Sequence, residues 1–246
     1  QGRQGVGYDG AVALLRSDPK THGPHLFAVK CASCHRYNGH NGMDVVVEDP
    51  ATASDLGNFG TREWVRGFIT DPAGEDYFGA TAEGSYNGEP LGERFTEGEM
   101  AFWAEENIGN MTKREIDAVV EFLIAQSGRE FAPPIDEELV AEGRDFFENG
   151  TDNAQGCIDC HAVTPLGEEE QLGETGLAPR LTGYASEAWL RDFIGRPGAE
   201  HNYGERNAMP EFGDQLSEQQ LDLLARFLTK NWYEPPTETT EVVVEE

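Results

Sequence analysis

The sequence has few basic residues. Only 18 Lys and Arg stand against 46 Asp and Glu, which gives a formal net charge of −28. So large an excess repels phosphate groups and argues against a nucleic-acid partner. The same charge can attract a basic protein partner over long range, and it is also typical of proteins adapted to high salt. Both explanations stay open on the sequence alone.

Long apolar runs are also lacking. No run of 18 or more apolar residues occurs, so no segment is predicted to cross a membrane. No signal peptide is recognisable and the first residue is Gln1, so we expect a mature form or a piece of a larger protein.

The 246 residues suffice for two domains of about 100 residues each.

Cysteine is scarce, and its placement is informative. All four cysteines lie in two motifs, CASCH at residues 31–35 and CIDCH at residues 157–161, which leaves none for a disulfide elsewhere. The two pairs could together bind one structural zinc ion, but the histidine after each pair would then have no role. A thioredoxin-like redox pair would need strand–helix surroundings that the sequence does not predict.

Cys-x-x-Cys-His is the attachment signature of c-type haem. The two thiols add to the two vinyl groups of the haem, and the adjacent imidazole binds the iron. We therefore predict two covalently attached haem c groups. The residues that hold them are Cys31, Cys34 and His35 in the first motif and Cys157, Cys160 and His161 in the second.

The segments that follow each motif form an internal repeat. FGTREWVRGFITDP at residues 59–72 matches YASEAWLRDFIGRP at 184–197, and MTKREIDAVVEFL at 111–123 matches LSEQQLDLLARFL at 216–228. Apolar residues recur at helical spacing in both copies of the last segment. We predict an all-α fold in which each unit is a small helical bundle.

Capping signals predict where three of the helices begin. Thr112 and Ser217 are each followed three residues later by Glu or Gln, which predicts a capping box. Met111 and Leu216 precede these caps and are expected to pack onto the first turn. Asp136 is predicted to cap the helix that opens the second unit.

Methionine on the far side of the iron would favour electron transfer over catalysis. In the second unit we predict Met209, in RNAMPEF, as this ligand, and in the first unit Met100, in EMAFW, where Phe102 and Trp103 could pack as Phe212 does in the second. The alternatives in the first unit are Met43, close after His35, and Met111, which aligns with Leu216. The loop histidines 40 and 201 are rival ligands that we expect to be solvated.

These motifs resemble a duplicated class I cytochrome c. The resemblance implies two tandem domains of that family, each built around a covalent haem. The expected divisions are an N-terminal extension at 1–20, a first cytochrome c domain at 21–131, a linker at 132–135, a second cytochrome c domain at 136–233 and an acidic disordered tail at 234–246.

The resemblance also implies how the helices pack and how each histidine is oriented. Within each unit the first helix would cross the last through a glycine, Gly23 against Phe122 and Gly143 against Phe227. A proline carbonyl, that of Pro179, would orient the proximal imidazole in the second unit. Ser54 aligns with this proline in the first unit.

Four further residues resemble haem contacts of the family. Tyr184 and the two tryptophans, Trp64 and Trp189, match residues that contact the haem propionates, although ordinary core packing explains the tryptophans equally well. Arg180 could pair with a propionate or be solvated. Phe59 replaces the tyrosine in the first unit.

More narrowly, LLRSDPKTHGPHLFAVKCASCHRYNGH and the segment from residue 59 to 79 resemble the dihaem module joined to cytochrome b in some bacterial quinol–cytochrome c oxidoreductases. This implies a carrier of single electrons between redox partner proteins, in or next to a membrane-bound quinol-oxidising complex. A periplasmic or other extracytoplasmic location follows, with a membrane tether as one option. A dihaem peroxidase with one open haem site is the alternative function.

Overall fold

The structure, a computed structural model, describes residues 10–129 and 134–231. This part of the chain is helix-rich, as predicted. Its α-helices are α1 (Gly10–Ser17), α2 (Pro19–Lys30), α3 (Arg62–Thr70), α4 (Glu99–Asn107), α5 (Lys113–Gln126), α6 (Glu137–Asn149), α7 (Glu187–Gly195) and α8 (Glu218–Thr229). The predicted tail and residues 132 and 133 of the predicted linker lie outside the described residues, as do residues 1–9 of the predicted extension.

Short elements connect these helices. Two two-residue strands, β1 (Ser85–Tyr86) and β2 (Glu89–Pro90), form an antiparallel hairpin. Five 3₁₀ helices cover Phe78–Glu83, Gly92–Arg94, Ile108–Asn110, Cys157–Asp159 and Gly204–Arg206. No helix in the described ranges is long and apolar enough to span a bilayer.

The predicted helix starts are confirmed. Thr112 and Ser217 each form a complete capping box at the start of α5 and α8. The Asp136 side chain accepts hydrogen bonds from two backbone amides in the first turn of α6. Met111 and Leu216, the residues before the two capping boxes, are buried as expected.

The first helix of each repeat packs on the last helix of the other repeat. Helix α2 contacts α8, and α6 contacts α5. A Cβ atom on Gly23 would lie 2.5 Å from Phe227 Cβ, and one on Gly143 would lie 2.9 Å from Phe122 Cβ and collide with the Ala118 carbonyl. Only glycine permits approaches this close.

The predicted pairing of Gly23 with Phe122 and of Gly143 with Phe227 is therefore wrong. Both glycines do mark a close crossing, but the partners are exchanged between the repeats. The short connection between α5 and α6 explains part of this result, because only residues 127–136 separate the two helices in the sequence and a short connection favours contact between neighbouring helices.

The remaining helix pairs stay within their own repeat. Helix α3 packs on α5, where Arg66 Nη2 lies 2.6 Å from Asp117 Oδ1. Helix α7 packs on α8 in the same way, with Arg191 Nη1 3.1 Å from Asp222 Oδ1. These equivalent ion pairs show that the two repeats preserve one helix arrangement while their first helices are exchanged.

The exchange divides the described chain into two lobes. The terminal lobe comprises residues 19–58 and 187–229, which come from both ends of the chain. The central lobe comprises residues 62–182 apart from the undescribed segment, and it is one continuous stretch of sequence. Each lobe thus contains one Cys-x-x-Cys-His motif from one repeat and the later helices of the other, which are α7 and α8 in the terminal lobe and α3, α4 and α5 in the central lobe.

The chain passes between the lobes at two equivalent positions. Gly60 and Ala185 align in the repeat, and both adopt the left-handed conformation, with φ of 71° and 58°. The preceding rings, Phe59 and Tyr184, contact each other with centroids 5.8 Å apart. The partly buried Arg129 donates to the carbonyl of Gly60 (Nη2 to O, 2.7 Å) and fixes the first crossover.

Aromatic side chains form the centre of each lobe. In the terminal lobe Phe27 is fully buried, and its ring meets those of Tyr37 and Phe227 at centroid distances of 5.7 and 6.1 Å. In the central lobe the buried rings of Phe122 and Phe147 lie 5.3 Å apart. Because α8 and α5 supply Phe227 and Phe122, each core requires both repeats.

A buried ion pair joins three helices of the central lobe. Glu121 on α5 accepts hydrogen bonds from Arg62 Nε and Nη2, both at 2.6 Å, and from the Asp136 backbone amide at 2.8 Å. The Glu121 side chain is only 5% exposed. The hydrogen bonds from Arg62 lower the pKa of Glu121 below its ordinary value of 4.5, despite the opposing effect of burial.

Replacing Glu121 with glutamine should lower the free energy of unfolding by about 3 kcal/mol at neutral pH, because Arg62 loses its buried counter-ion. A carboxylate with a lowered pKa stabilises the fold above its unfolded pKa, and this contribution is lost as the pH falls through the folded pKa. The difference between wild type and variant should therefore shrink below about pH 4.5.

Denaturant unfolding of the two proteins between pH 7 and pH 3, followed by circular dichroism, measures this difference. Glu142→Gln is the matched control, since the Glu142 pair with Arg114 is exposed and its loss should change stability little. A Glu121→Gln defect that is constant across this pH range would contradict the assignment.

Candidate functional site

The two cysteine motifs have equivalent local structure. Cys31 ends helix α2, and the backbone carbonyl of Cys31 accepts a hydrogen bond from the His35 amide at 2.8 Å. Cys157 begins a 3₁₀ turn, and the Cys157 carbonyl accepts from the His161 amide at 2.9 Å. In both motifs this turn brings the two thiols and the imidazole to one short stretch of backbone.

All four thiols are free and partly buried. Burial raises the pKa of Cys31 to about 12 and that of Cys157 to about 12. Among the described residues, which include both motifs, no group of three or more His, Cys, Asp or Glu side chains could hold a metal ion. The two cysteine pairs thus do not form the four-thiolate zinc site that the sequence left open.

Each motif histidine is oriented by a backbone carbonyl. His35 Nδ1 lies 2.8 Å from the Ser54 carbonyl oxygen, and His161 Nδ1 lies 2.7 Å from that of Pro179. A hydrogen bond from Nδ1 leaves Nε2 as the nitrogen available to a metal. Ser54 thus takes the position that Pro179 has in the other repeat, and its carbonyl still contacts the histidine.

The carbonyl-bearing loops are tied back to the motifs in the same way. The Leu56 amide donates to the Arg36 carbonyl, and the Leu181 amide donates to the Ala162 carbonyl, both at 2.8 Å. Burial lowers the pKa of both His35 and His161, which favours the neutral imidazole that iron requires. Two free thiols and a neutral, oriented imidazole fit a covalently attached haem.

Two tryptophans hold the same loops through their indole N–H groups. Trp64 Nε1 donates to the Asp55 carbonyl at 2.9 Å, and Trp189 Nε1 donates to the Arg180 carbonyl at 3.0 Å. In each case the acceptor is the residue after the one that orients the histidine. The sequence analysis missed this role, although each tryptophan follows its histidine-orienting residue by ten positions in both repeats.

The caps of α3 and α7 place these tryptophans. Thr61 and Ser186 cap the two helices, and their hydroxyls accept hydrogen bonds from the backbone amides of Trp64 and Trp189. Each indole therefore projects from the first turn of its helix. The predicted contacts of both tryptophans with haem propionates stay predictions, whereas their contacts with the loops are observed.

The other two predicted propionate contacts differ in burial. Tyr184 is buried, and its ring packs against that of Trp189 at a centroid distance of 5.2 Å. Burial raises the pKa of Tyr184 far above its ordinary value, so its hydroxyl stays protonated. Arg180 is partly buried, and its backbone amide donates to the His201 carbonyl at 2.9 Å.

The four methionines differ sharply in their surroundings. Met100 lies partly buried in the first turn of α4, and Met209 lies partly buried in the loop between α7 and α8. Met43 is 50% exposed, whereas Met111 is 9% exposed and packs in the core. Phe102 is 52% exposed, so the packing role predicted for it is wrong, and only Trp103 contributes to the core beside Met100.

The two rival histidines are engaged with protein groups rather than solvated. His201 Nε2 lies 2.6 Å from Asp192 Oδ2, and the histidine side chain is 28% exposed. His40 Nδ1 accepts from the Gly42 amide at 3.0 Å, and its side chain is 20% exposed. The expectation that both are solvated is therefore wrong.

The second motif lies beside a helix of the first repeat. Trp103 Nε1 on α4 donates to the Gln155 carbonyl at 3.1 Å, and the Gln155 amide donates to Asn107 Oδ1 at 2.7 Å. Asn107 is itself buried. Because Gln155 precedes Cys157 by two residues, these two bonds fix α4 next to the second cysteine pair.

The family comparison concerns this second part of the chain. Residues 139–228 match the family model described as cytochrome c oxidase, cbb3-type, subunit III. No curated protein and no solved structure matches the chain. The match, which contains the second motif and covers little more than a third of the sequence, supports a c-type cytochrome with covalently bound haem c that carries electrons.

Replacing Trp189 with phenylalanine should release the Arg180 carbonyl and loosen the neighbouring Pro179–His161 contact. Loss of one such hydrogen bond should lower the free energy of unfolding by about 1 kcal/mol. The electron paramagnetic resonance signal of the haem bound by His161 should also broaden or shift.

Trp64→Phe is the matched variant, since it removes the equivalent hydrogen bond beside Ser54 and His35. It should instead alter the signal of the haem predicted at His35. Loss of stability with no spectral change in either variant would show that the tryptophans only pack and do not position the histidine loops.

Proposed function

We propose that this protein is a dihaem c-type cytochrome that carries single electrons between redox partner proteins. The observation that carries the proposal is the equivalence of the two motifs. Both present two free thiols and an imidazole whose Nδ1 is held by a backbone carbonyl, at 2.8 and 2.7 Å. The family match at residues 139–228 supports one haem, and the equivalence of the motifs supports our proposal of another at residues 31–35.

Bound haem c would supply a one-electron couple between ferrous and ferric iron. The thiols of the two cysteine pairs would hold it covalently, and His35 and His161 would bind the iron through Nε2. Met100 and Met209 are the proposed further iron ligands, and a thioether ligand would raise the reduction potential and close the site to substrates. Both methionines are partly buried, as such a ligand must be.

The surrounding residues would exclude water from these groups. Phe27 precedes the first motif and Val163 follows the second, and both are fully buried. The Ser54 and Pro179 carbonyls keep each imidazole in one orientation. An iron centre that keeps its ligands and hydration unchanged on reduction needs little reorganisation, which suits electron transfer.

The proposed partner is a redox protein with a basic docking face. The net charge of −28 would attract such a partner and weaken the encounter with rising salt concentration. A quinol-oxidising respiratory complex and an extracytoplasmic location are also proposed. They are supported by the resemblance of the first repeat to the cytochrome c modules of such complexes.

The purified native protein should contain two haems per chain and titrate in two one-electron steps. An optical redox titration, combined with a pyridine haemochrome assay, counts the haems and the steps. Methionine–iron charge-transfer absorption of two-haem intensity is expected in the oxidised protein. A single haem, or a high-spin iron in the resting protein, would contradict two closed electron-transfer sites.

A further inference from the structure

We infer that each haem site is completed by the methionine of the opposite repeat. Met209 serves the haem held by Cys31, Cys34 and His35, and Met100 serves the haem held by Cys157, Cys160 and His161. This inference rests on the proposed dihaem function and specifies which methionine and which histidine bind the same iron. A duplicated cytochrome with independent domains would pair each histidine with the methionine that follows it in its own repeat.

The central lobe brings Met100 to the second motif. Helix α4 begins at Glu99, so Met100 lies in its first turn, about one turn before Trp103. Trp103 and Asn107 of the same helix bond to both backbone groups of Gln155, two residues before Cys157. The helix that carries Met100 is therefore docked directly on the segment that carries the second cysteine pair.

Further contacts hold the second motif in the same lobe. Helix α6, which leads into this motif, crosses α5 at Gly143 so closely that a Cβ atom would collide with the Ala118 carbonyl. Beyond the motif, the Leu166 amide donates to Gln126 Oε1 at the end of α5, at 3.0 Å. The second motif is thus flanked by helices α4 and α5 of the first repeat.

Two helices of the terminal lobe flank Met209. Met209 lies between α7 and α8, and its loop is tied to the end of α7 by hydrogen bonds from the Phe212 amide to the Ile194 carbonyl and from Gly213 to Gly195. Helix α8 then crosses α2 at Gly23. Both helices that flank Met209 therefore belong to the lobe that contains the first cysteine pair.

An aromatic stack connects this last helix with the first motif. The ring of Tyr37, two residues after His35, stacks on Phe227 of α8 with centroids 4.6 Å apart. The ring of Phe27, four residues before Cys31, also contacts that of Phe227, with centroids 6.1 Å apart. The helix that follows Met209 is thus packed against residues on both sides of the first haem-binding motif.

The other candidate ligands are less suitable. Met43 belongs to the terminal lobe but is 50% exposed in a loop close to its own motif. Met111 is buried directly before the capping box of α5, where it packs on the first turn. His201 is bonded to Asp192, and His40 accepts a backbone hydrogen bond. None of these side chains is free and partly buried as Met100 and Met209 are.

Full-length variants with one haem each can test the pairing. Cys31→Ala with Cys34→Ala leaves only the second motif able to attach haem, and Cys157→Ala with Cys160→Ala leaves only the first. In the Cys31→Ala, Cys34→Ala variant, which keeps only the second motif, Met100→Ala should abolish the methionine–iron charge-transfer band and Met209→Ala should leave this band unchanged. In the Cys157→Ala, Cys160→Ala variant, which keeps only the first motif, Met209→Ala should abolish the band and Met100→Ala should leave it unchanged. Met43→Ala should leave the band unchanged in both variants.

The results separate this inference from the proposed function. Loss of the band on replacing the methionine of the same repeat would overturn the exchanged pairing, while the attached haem would still support the dihaem function. Failure of native-sequence protein to attach haem at either motif would overturn both.

A milder variant covers the case in which removing a whole cysteine pair prevents folding. Cys34→Ala alone keeps one thioether at Cys31 and leaves one vinyl group conjugated, which shifts the absorption of that haem to longer wavelength. In this background Met209→Ala should perturb the shifted band, and Met100→Ala the unshifted one. The reverse pattern would overturn the inference.

Discussion

The arrangement of this protein depends on two helix crossings that only glycine allows. At Gly143 the backbone of α6 rests on the backbone of α5, and at Gly23 that of α2 rests on Phe227 of α8. Crossings this close bury apolar surface along both helices, so they fix which helices belong together. Because the partners come from opposite repeats, the rest of the chain must pass between two lobes, and it does so at Gly60 and Ala185.

The predicted haem sites combine hydrogen bonds within each repeat with the packing of helices from opposite repeats. Within each repeat, the histidine Nδ1 contacts a loop carbonyl and an indole N–H donates to the next carbonyl, as with His161 and Pro179 and with Trp189 and Arg180. That set needs only nearby sequence. The proposed further iron ligands are Met100, in the first turn of α4, and Met209, in the loop between α7 and α8. The pairing inferred above would make each site depend on both repeats.

Much of the fold and of the candidate site could be predicted from the sequence. The cysteine motifs and the capping boxes at Thr112 and Ser217 rest on residues a few positions apart, where spacing determines geometry. The glycines of the close crossings could be expected from the resemblance to class I cytochrome c. The partners of Gly23 and Gly143 could not be predicted, because Phe122 and Phe227 occupy equivalent positions and suit either glycine. The choice depends on the short α5–α6 connection and on packing across the whole molecule.

A double-mutant cycle at the terminal-lobe crossing tests the exchanged arrangement most directly. Gly23→Ala is combined in turn with Phe227→Ala and with Phe122→Ala in the holoprotein, and the free energy of unfolding is measured for each single and double variant. The exchange predicts a coupling of about 1 kcal/mol or more between positions 23 and 227 and additive effects for 23 and 122. Coupling between Gly23 and Phe122, with additivity at Phe227, would instead show that each repeat folds on itself.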